Sequence, residues 1–245
     1  MKGLRKKEVG NKLAIMMILI LSSLIYSSIV FATPSGPIVT TIRNETLTPA
    51  SAATINTSGG SITTMTLNST TQNPRWKAYV GNVTGTLTLD DGNNFTVFNW
   101  EVTTLVGEVY ATRSSSTIGW SDIACATDSN ITNEETALGH TANPNDNIST
   151  TFSTKNHNLF YVGSEPITED SCYSVHTYKN DSSQDTDFEE ILLHDADNMI
   201  YATILENDVM GYTPNETFDF QMILPEVGTD GWVSSTAYNF YVELI

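Results

Sequence analysis

The sequence predicts an all-β fold: antiparallel strands in two sheets packed face to face, an Ig-like or jelly-roll-like β-sandwich, after an N-terminal hydrophobic export helix. Three observations carry this. About a dozen short β-favouring runs follow one another, with turn signals roughly every 8–15 residues and little helical pattern between them. Residues 83–89 alternate strictly, with Val83, Gly85, Leu87 and Leu89 on one side and Thr84, Thr86 and Thr88 on the other, the two-residue period of a pleated strand. Residues 199–205 (MIYATIL) are apolar on both sides, as a strand in the middle of a core must be.

Residues 1–32 have a basic start (Lys2, Arg5, Lys6, Lys7, Lys12), an apolar run over 13–31 and a Val30-Phe31-Ala32 end that fits signal cleavage. The run of about 19 residues is longer than a usual signal core and close to membrane-spanning length, whereas Ser22, Ser23, Ser27 and Ser28 weaken it as a permanent helix. A cleaved signal peptide and an uncleaved N-terminal anchor both stay open. On either reading Thr33 onward is extracellular or at the cell surface. Residues 33–60 form a Thr/Ser-rich leader in which 37–42 (PIVTTI) is a short extended segment. It is either an edge strand of the same domain or a strand donated to a neighbouring subunit.

Residues 61–245 are the expected sandwich domain. Strands are predicted over 62–67, 76–80 and 83–89, and Asp90-Asp91-Gly92-Asn93 turns the chain into a returning strand at 95–100. Further strands are expected at 105–111, 118–123, 148–153, 159–162, 172–178, 188–193, 199–205, 218–224 and 238–244. Thr132-Asn133-Glu134-Glu135 fits a capping box, which places a short helix over 133–138. Residues 140–147, broken by Pro144, and the acidic segment 180–187 read as loops. The residues expected to pack are Trp76, Leu87, Leu89, Trp100, Ile200, Ile204, Phe220 and Phe240.

Of eleven basic residues, five lie in the N-terminal segment. That leaves Arg43, Arg75, Lys77, Arg113, Lys155 and Lys179 against 27 acids once Glu8 is set aside, a balance of −21 over residues 33–245. Such a surface repels nucleic acid and anionic lipid headgroups and excludes both as partners; a membrane is reached only through an uncleaved N-terminal segment. Cys125 and Cys172 both follow the export segment. Outside the cytoplasm an isolated pair is most simply one disulfide, stabilising the fold by about 4 kcal/mol through loop closure.

Nine Asn-x-Ser/Thr sequons begin at Asn44, Asn56, Asn68, Asn82, Asn94, Asn130, Asn147, Asn180 and Asn215, the glycosylation candidates of a surface glycoprotein. Asp90 and Asp91 on one turn, and Asp195 and Asp197 on another, gather the oxygen ligands that Ca²⁺ would need. Neither matches EF-hand spacing, and Asp and Asn also favour turns for backbone reasons, so no cofactor is expected unless it is Ca²⁺. There is no nucleophile elbow, zincin helix, P-loop or dinucleotide fingerprint. His140, His157, His176 and His194 are scattered, and the adjacent Glu189 and Glu190 point to opposite sides of a strand, so no catalytic residue is assigned. Trp76, Trp100, Trp120 and Trp232 are either packing residues or a sugar-stacking platform.

Several stretches taken together (SGPIVT, NTSGGSIT, RWKAYVGNVTGTLTLDD, GEVYATR, CYSVHTY, FEEILLHD, YATILEND and FDFQMILP) resemble a group of exported archaeal surface proteins of unassigned activity. The group is marked by a W-x-x-Y-x-G-N-V-T-G box, here Trp76 to Gly85. The resemblance spans nearly all of the chain after the export segment. It implies an exported, glycosylated surface protein and adds no catalytic residue. The expected role is therefore structural or interactive rather than enzymatic: a component of an envelope, filament or adhesive assembly, with other surface proteins, copies of itself or glycans as partners. The alternatives are a carbohydrate-binding module, with or without Ca²⁺, and an extracellular hydrolase.

Overall fold

The structure, a computed structural model, describes residues 33–140, 145–227 and 235–245. The export segment expected over residues 1–32, Pro144 and Trp232 lie outside the described residues. In chain order the elements are β1 (Trp76–Gly81), β2 (Thr86–Asp90), β3 (Thr96–Glu101), β4 (Gly107–Thr112), a 3-10 turn (Trp120–Asp122), β5 (Ala124–Cys125), α1 (Asp128–Leu138) and α2 (Ile148–Thr151). There follow β6 (Phe160–Val162), β7 (Glu165–Ile167), β8 (Ser174–His176), β9 (Glu189–His194), β10 (Met199–Ile204), β11 (Val209–Met210), β12 (Thr217–Phe218), β13 (Phe220–Pro225) and β14 (Asn239–Leu244).

The centre is a six-stranded antiparallel sheet in the order β14-β4-β10-β9, with β5 and β8 both paired to the far edge of β9. Successive residues of β4, β9 and β10 fall into two different apolar clusters, one on each side of the sheet. Val109, Ala111, Leu192, Met199 and Tyr201 pack with Met222 and Leu224 of β13, Ile131 and Leu138 of α1, and Ile148 and Phe152. Tyr110, Ile191, Leu193, Ile200 and Ala202 pack with Ile118, Ile123, Phe160, Val162, Ile167 and Cys172. The sheet is thus a middle layer, which explains why residues 199–205 carry no polar side: each large side chain shut from water contributes about 1.5–3 kcal/mol. β1 pairs with β13 antiparallel above the first cluster, and the β6–β7 hairpin lies over the second.

Four expectations are corrected. The predicted strand at 148–153 is the helix α2 with Phe152 behind it: Asn147 caps it, and Ile148 and Phe152, four apart, share one buried side. Residues 118–123 are not a strand, because Asp122 N–H bonds back to Gly119 O and tightens a 3-10 turn. The helix expected from residue 133 begins at Asp128, where Thr127 and Asn130 form the reciprocal capping box; Thr132 sits inside it and donates its hydroxyl to Asp128 O. No strand forms at 62–67, whose Ile62 and Leu67 stand in solvent.

The predicted 83–100 hairpin does form, as β2 and β3, with Asp91 Oδ1 accepting the N–H groups of Asn93 and Phe95 at its tip. It stands apart from the central sheet. Among the described residues β2 and β3 pair only with each other, and Leu87, Leu89 and Trp100, expected in the core, are 49%, 55% and 49% exposed. Trp76, Ile200, Ile204, Phe220 and Phe240 do pack as expected.

Candidate functional site

The disulfide forms between Cys125 on β5 and Cys172 just ahead of β8. His157 braces its second half: Nε2 accepts the N–H groups of Ser171 and Cys172 at 3.1 and 3.0 Å, so the ring proton sits on Nδ1 and is donated to Asn158 O at 2.8 Å.

Seven of the nine sequon asparagines, Asn44, Asn56, Asn68, Asn82, Asn94, Asn180 and Asn215, are exposed. Asn130 and Asn147 are half-buried and engaged as helix caps. The two acidic turns use their oxygens locally. Asp90 accepts the Thr88 hydroxyl, and the amides of Phe95 and Asn93 hold the Asp91 carboxyl below its ordinary range. Burial opposes ionisation of Asp195, but N–H groups of Gly119, Asp197 and Asn198 and the Asn198 amide outweigh it and hold it low. Asp197, next to it, donates its backbone N–H to the same turn. Among the described residues no group of three or more His, Cys, Asp or Glu is arranged to hold a metal ion, and no helix is long and apolar enough to cross a membrane.

The described tryptophans occupy three separate places. Trp76 packs on Phe152 and donates Nε1–H to Asp146 O, Trp120 lies between Tyr110 and Tyr241 on the opposite side of the central sheet, and Trp100 is on the hairpin.

Sequence reasoning missed a set of buried glutamates. Glu108 on β4 and Glu243 on β14 stand directly opposite each other, 3% and 1% exposed. The Tyr110 hydroxyl lies 3.0 Å from Glu243 Oε2 and 3.3 Å from Glu108 Oε2, and Gly163 N–H, beside the β6–β7 turn, donates to Glu243. Burial, with the facing Glu243 adding to it, pushes Glu108 up to about 8; burial also raises Glu243 against its hydrogen bonds from Gly163 and Tyr110. Glu190 is fully buried: Oε2 accepts Ile223 N–H at 2.8 Å, Oε1 meets no partner among the described residues, and burial drives its pKa up. The six Lys and Arg side chains among the described residues are all engaged elsewhere: Arg43 with Glu216 and Glu45, Arg75 with Asp146, Lys77 with Glu226, Arg113 with Glu134, Lys179 with Asp187, and Lys155 over the Tyr173 ring. The parity of Glu108 and Glu243 within apolar strand runs was visible in the sequence; that their strands are neighbours was not.

On the outside, the hairpin carries the cross-strand pairs Leu87–Trp100 and Leu89–Phe98 on one side, with the Phe98 and Trp100 rings edge to face at 4.9 Å. Residues 36–74 form an arm without strand pairing, on which Ile38, Val39, Ile42, Ile62 and Leu67 are exposed. Its root is fixed where Ser35 exchanges two backbone bonds with Val242 on the outer edge of β14, and Arg43 grips Glu216 with two further bonds. These two uncovered apolar features, hairpin and arm, are the candidate site.

Compared with known proteins, the chain matches no family model, no curated protein sequence and no solved structure.

Proposed function

We propose that the chain is an exported, glycosylated cell-surface protein with a structural role, assembling with copies of itself into an envelope, filament or adhesive layer and having no catalytic activity. The observation that carries this reading is the presence of an uncovered apolar hairpin and an uncovered apolar arm on one chain. A two-stranded hairpin is marginal in water by itself, and contiguous exposed apolar side chains mark interaction surfaces. Residues 37–42 set Ile38, Val39 and Ile42 among threonines, the pattern of a strand without a sheet. The outer edges of β2 and β3 carry no strand among the described residues. A donor and an acceptor on the same chain engage head to tail, a contact that builds an open filament where its rotation does not close and a ring where it does. The acidic surface opposes crowding of copies, so assembly strengthens as salt screens it.

Seven exposed sequons, one disulfide and the likeness to exported archaeal surface proteins fit an oxidising exterior. The reading takes the domain as a β-sandwich, Ig-like or jelly-roll-like; what supports it is β1 and β13 stacked over one side of the central sheet around a shared apolar cluster. A glycan-binding role is the second reading, favoured by the open Phe98–Trp100 ring pair.

Light scattering and negative-stain microscopy of purified protein across a salt series test the assembly. Polymers that disappear on deletion of residues 37–42, or in a Leu87→Ser, Trp100→Ser double variant, support it; monomers at every salt concentration overturn it. Glycan-array binding lost in Trp100→Ala, with or without EDTA sensitivity, would instead favour the second reading.

A further inference from the structure

We infer that Glu108 and Glu243 hold a single proton between them in the folded protein, and that this shared proton latches the edge strand β14 onto β4. Two ionised carboxylates directly opposite each other and shut from water repel strongly, and among the described residues no cation reaches them. One proton removes a charge and creates a donor. A protonated Glu108 donates to the Tyr110 oxygen, the Tyr110 hydrogen goes to Glu243, and Gly163 N–H supplies Glu243 with a further bond, so each hydrogen in the cluster has an acceptor. With both carboxylates ionised, one phenolic hydrogen is left to serve two anions.

The titratable groups acting on the pair are each other and Tyr110. On neighbouring elements, β10 places Ile204 opposite Glu108, the 3-10 turn places Trp120 against Tyr110 and Tyr241, and the β6–β7 hairpin contributes the Gly163 amide. None of these brings a positive charge.

The strand held in this way is the root of the arm. Val242, beside Glu243, exchanges both backbone bonds with Ser35. The approach of β4 to β14 is close at this end: Gly107 has φ +144°, and a Cβ there would lie 2.0 Å from Glu243 O. Releasing the proton to solvent leaves two negative charges in the cluster, and the expected result is a loosening of β14 and the base of the arm while β4, β9 and β10 stay paired. The sign follows from linkage. Glu108 binds its proton more tightly in the folded chain than at its ordinary 4.5, so the latch is complete below that pH and is lost as pH rises through about 8. This inference does not depend on the assembly reading.

Hydrogen exchange on the full chain at about pH 5 and about pH 9, corrected for intrinsic rates, tests it. Residues 239–244 are expected to lose protection by at least about tenfold relative to β10 at the higher pH. Glu108→Gln, which keeps a donor without the charge, should abolish that difference. Should that variant fail to fold, Glu243→Gln, which removes the repulsion from the other side, must do the same. An infrared titration should also show a protonated carboxyl band persisting at neutral pH and weakened by either substitution. Protection of β14 that is the same at both pH values, or unchanged pH dependence in a folded variant, overturns the inference.

Discussion

Cys125 and Cys172 lie end to end along a single edge of β9: Cys125 is opposite Leu193, and Ser174, two residues after Cys172, is opposite Ile191. The bridge therefore splices two strands of two and three residues into one continuous edge, capping a β9 that is otherwise fully packed. With the cysteines 47 positions apart, loop closure alone accounts for about 4 kcal/mol. Reduction, or a Cys125→Ser, Cys172→Ser double variant, is expected to lower unfolding free energy in urea by about 3–4 kcal/mol, with hydrogen exchange rising first in β5 and β8. A loss below about 1 kcal/mol would mean that His157 and the β9 ladder hold that edge unaided.

Much of this arrangement is legible in the sequence, because local chemistry decides it. The two-sided apolar run of β10, the Asp91 turn and the lone cysteine pair each carry their own signal. What fails is whatever depends on which surface meets which. Alternation in residues 83–100 states that the two sides of the hairpin differ, not that its apolar side is covered, and Leu87, Leu89 and Trp100 are half exposed for that reason. Ile148 and Phe152 satisfy a period of four as well as membership of a short apolar run, and the Asn147 cap decides for the helix. Glu108 and Glu243 become a pair only through the register of β4 with β14, and the sequences of the separate strands do not state that register.

Glu190 yields a second pH prediction, separate from the β14 latch. Its carboxyl is completely buried with one amide donor, and burial raises its pKa, so it costs stability as pH climbs above its ordinary 4.5. Glu190→Gln is expected to raise the melting temperature at about pH 8, by an amount equivalent to about 1–3 kcal/mol, and to change little at about pH 4. Glu226 sets the opposite limit. Burial opposes its ionisation, but hydrogen bonds from Lys77 and Thr236 win and bring it down to about 2, so its contribution is full above 4.5, declines below that value and is lost as pH falls through about 2. Thermal melts across pH should peak on the acidic side of neutrality; a peak above about pH 7 would contradict the Glu190 assignment, and stability undiminished down to about pH 2 would contradict that of Glu226.

Arg113 fixes α1 to the end of β4. Its Nε and Nη2 donate to the two oxygens of Glu134 at 2.7 and 2.6 Å, and the carboxylate is largely buried. Removing the guanidinium strands that carboxylate beside Tyr201. Arg113→Ala is expected to cost about 2–4 kcal/mol in chemical denaturation, and Arg113→Lys to recover only part, because an ammonium cannot reproduce the planar fork. Full rescue by lysine would show that charge alone, without geometry, holds the helix.

The hairpin separates folding from interaction more sharply than any other element. Val109 and Leu192 lie inside the first cluster, so Leu192→Ala is expected to cost about 2–5 kcal/mol through lost burial and the cavity left behind. Leu89→Ser, at a position 55% exposed on a hairpin that pairs with no other strand among the described residues, removes little that the folded monomer uses. Its unfolding free energy should stay within about 0.5 kcal/mol of the parent in urea denaturation under monomeric conditions. If Leu89→Ser instead costs as much as Leu192→Ala in a strictly monomeric sample, the hairpin is covered within its own chain and is not free to receive a second copy. If Leu89→Ser leaves stability unchanged but weakens self-association at high salt, the apolar side of β2 and β3 belongs to the contact between copies.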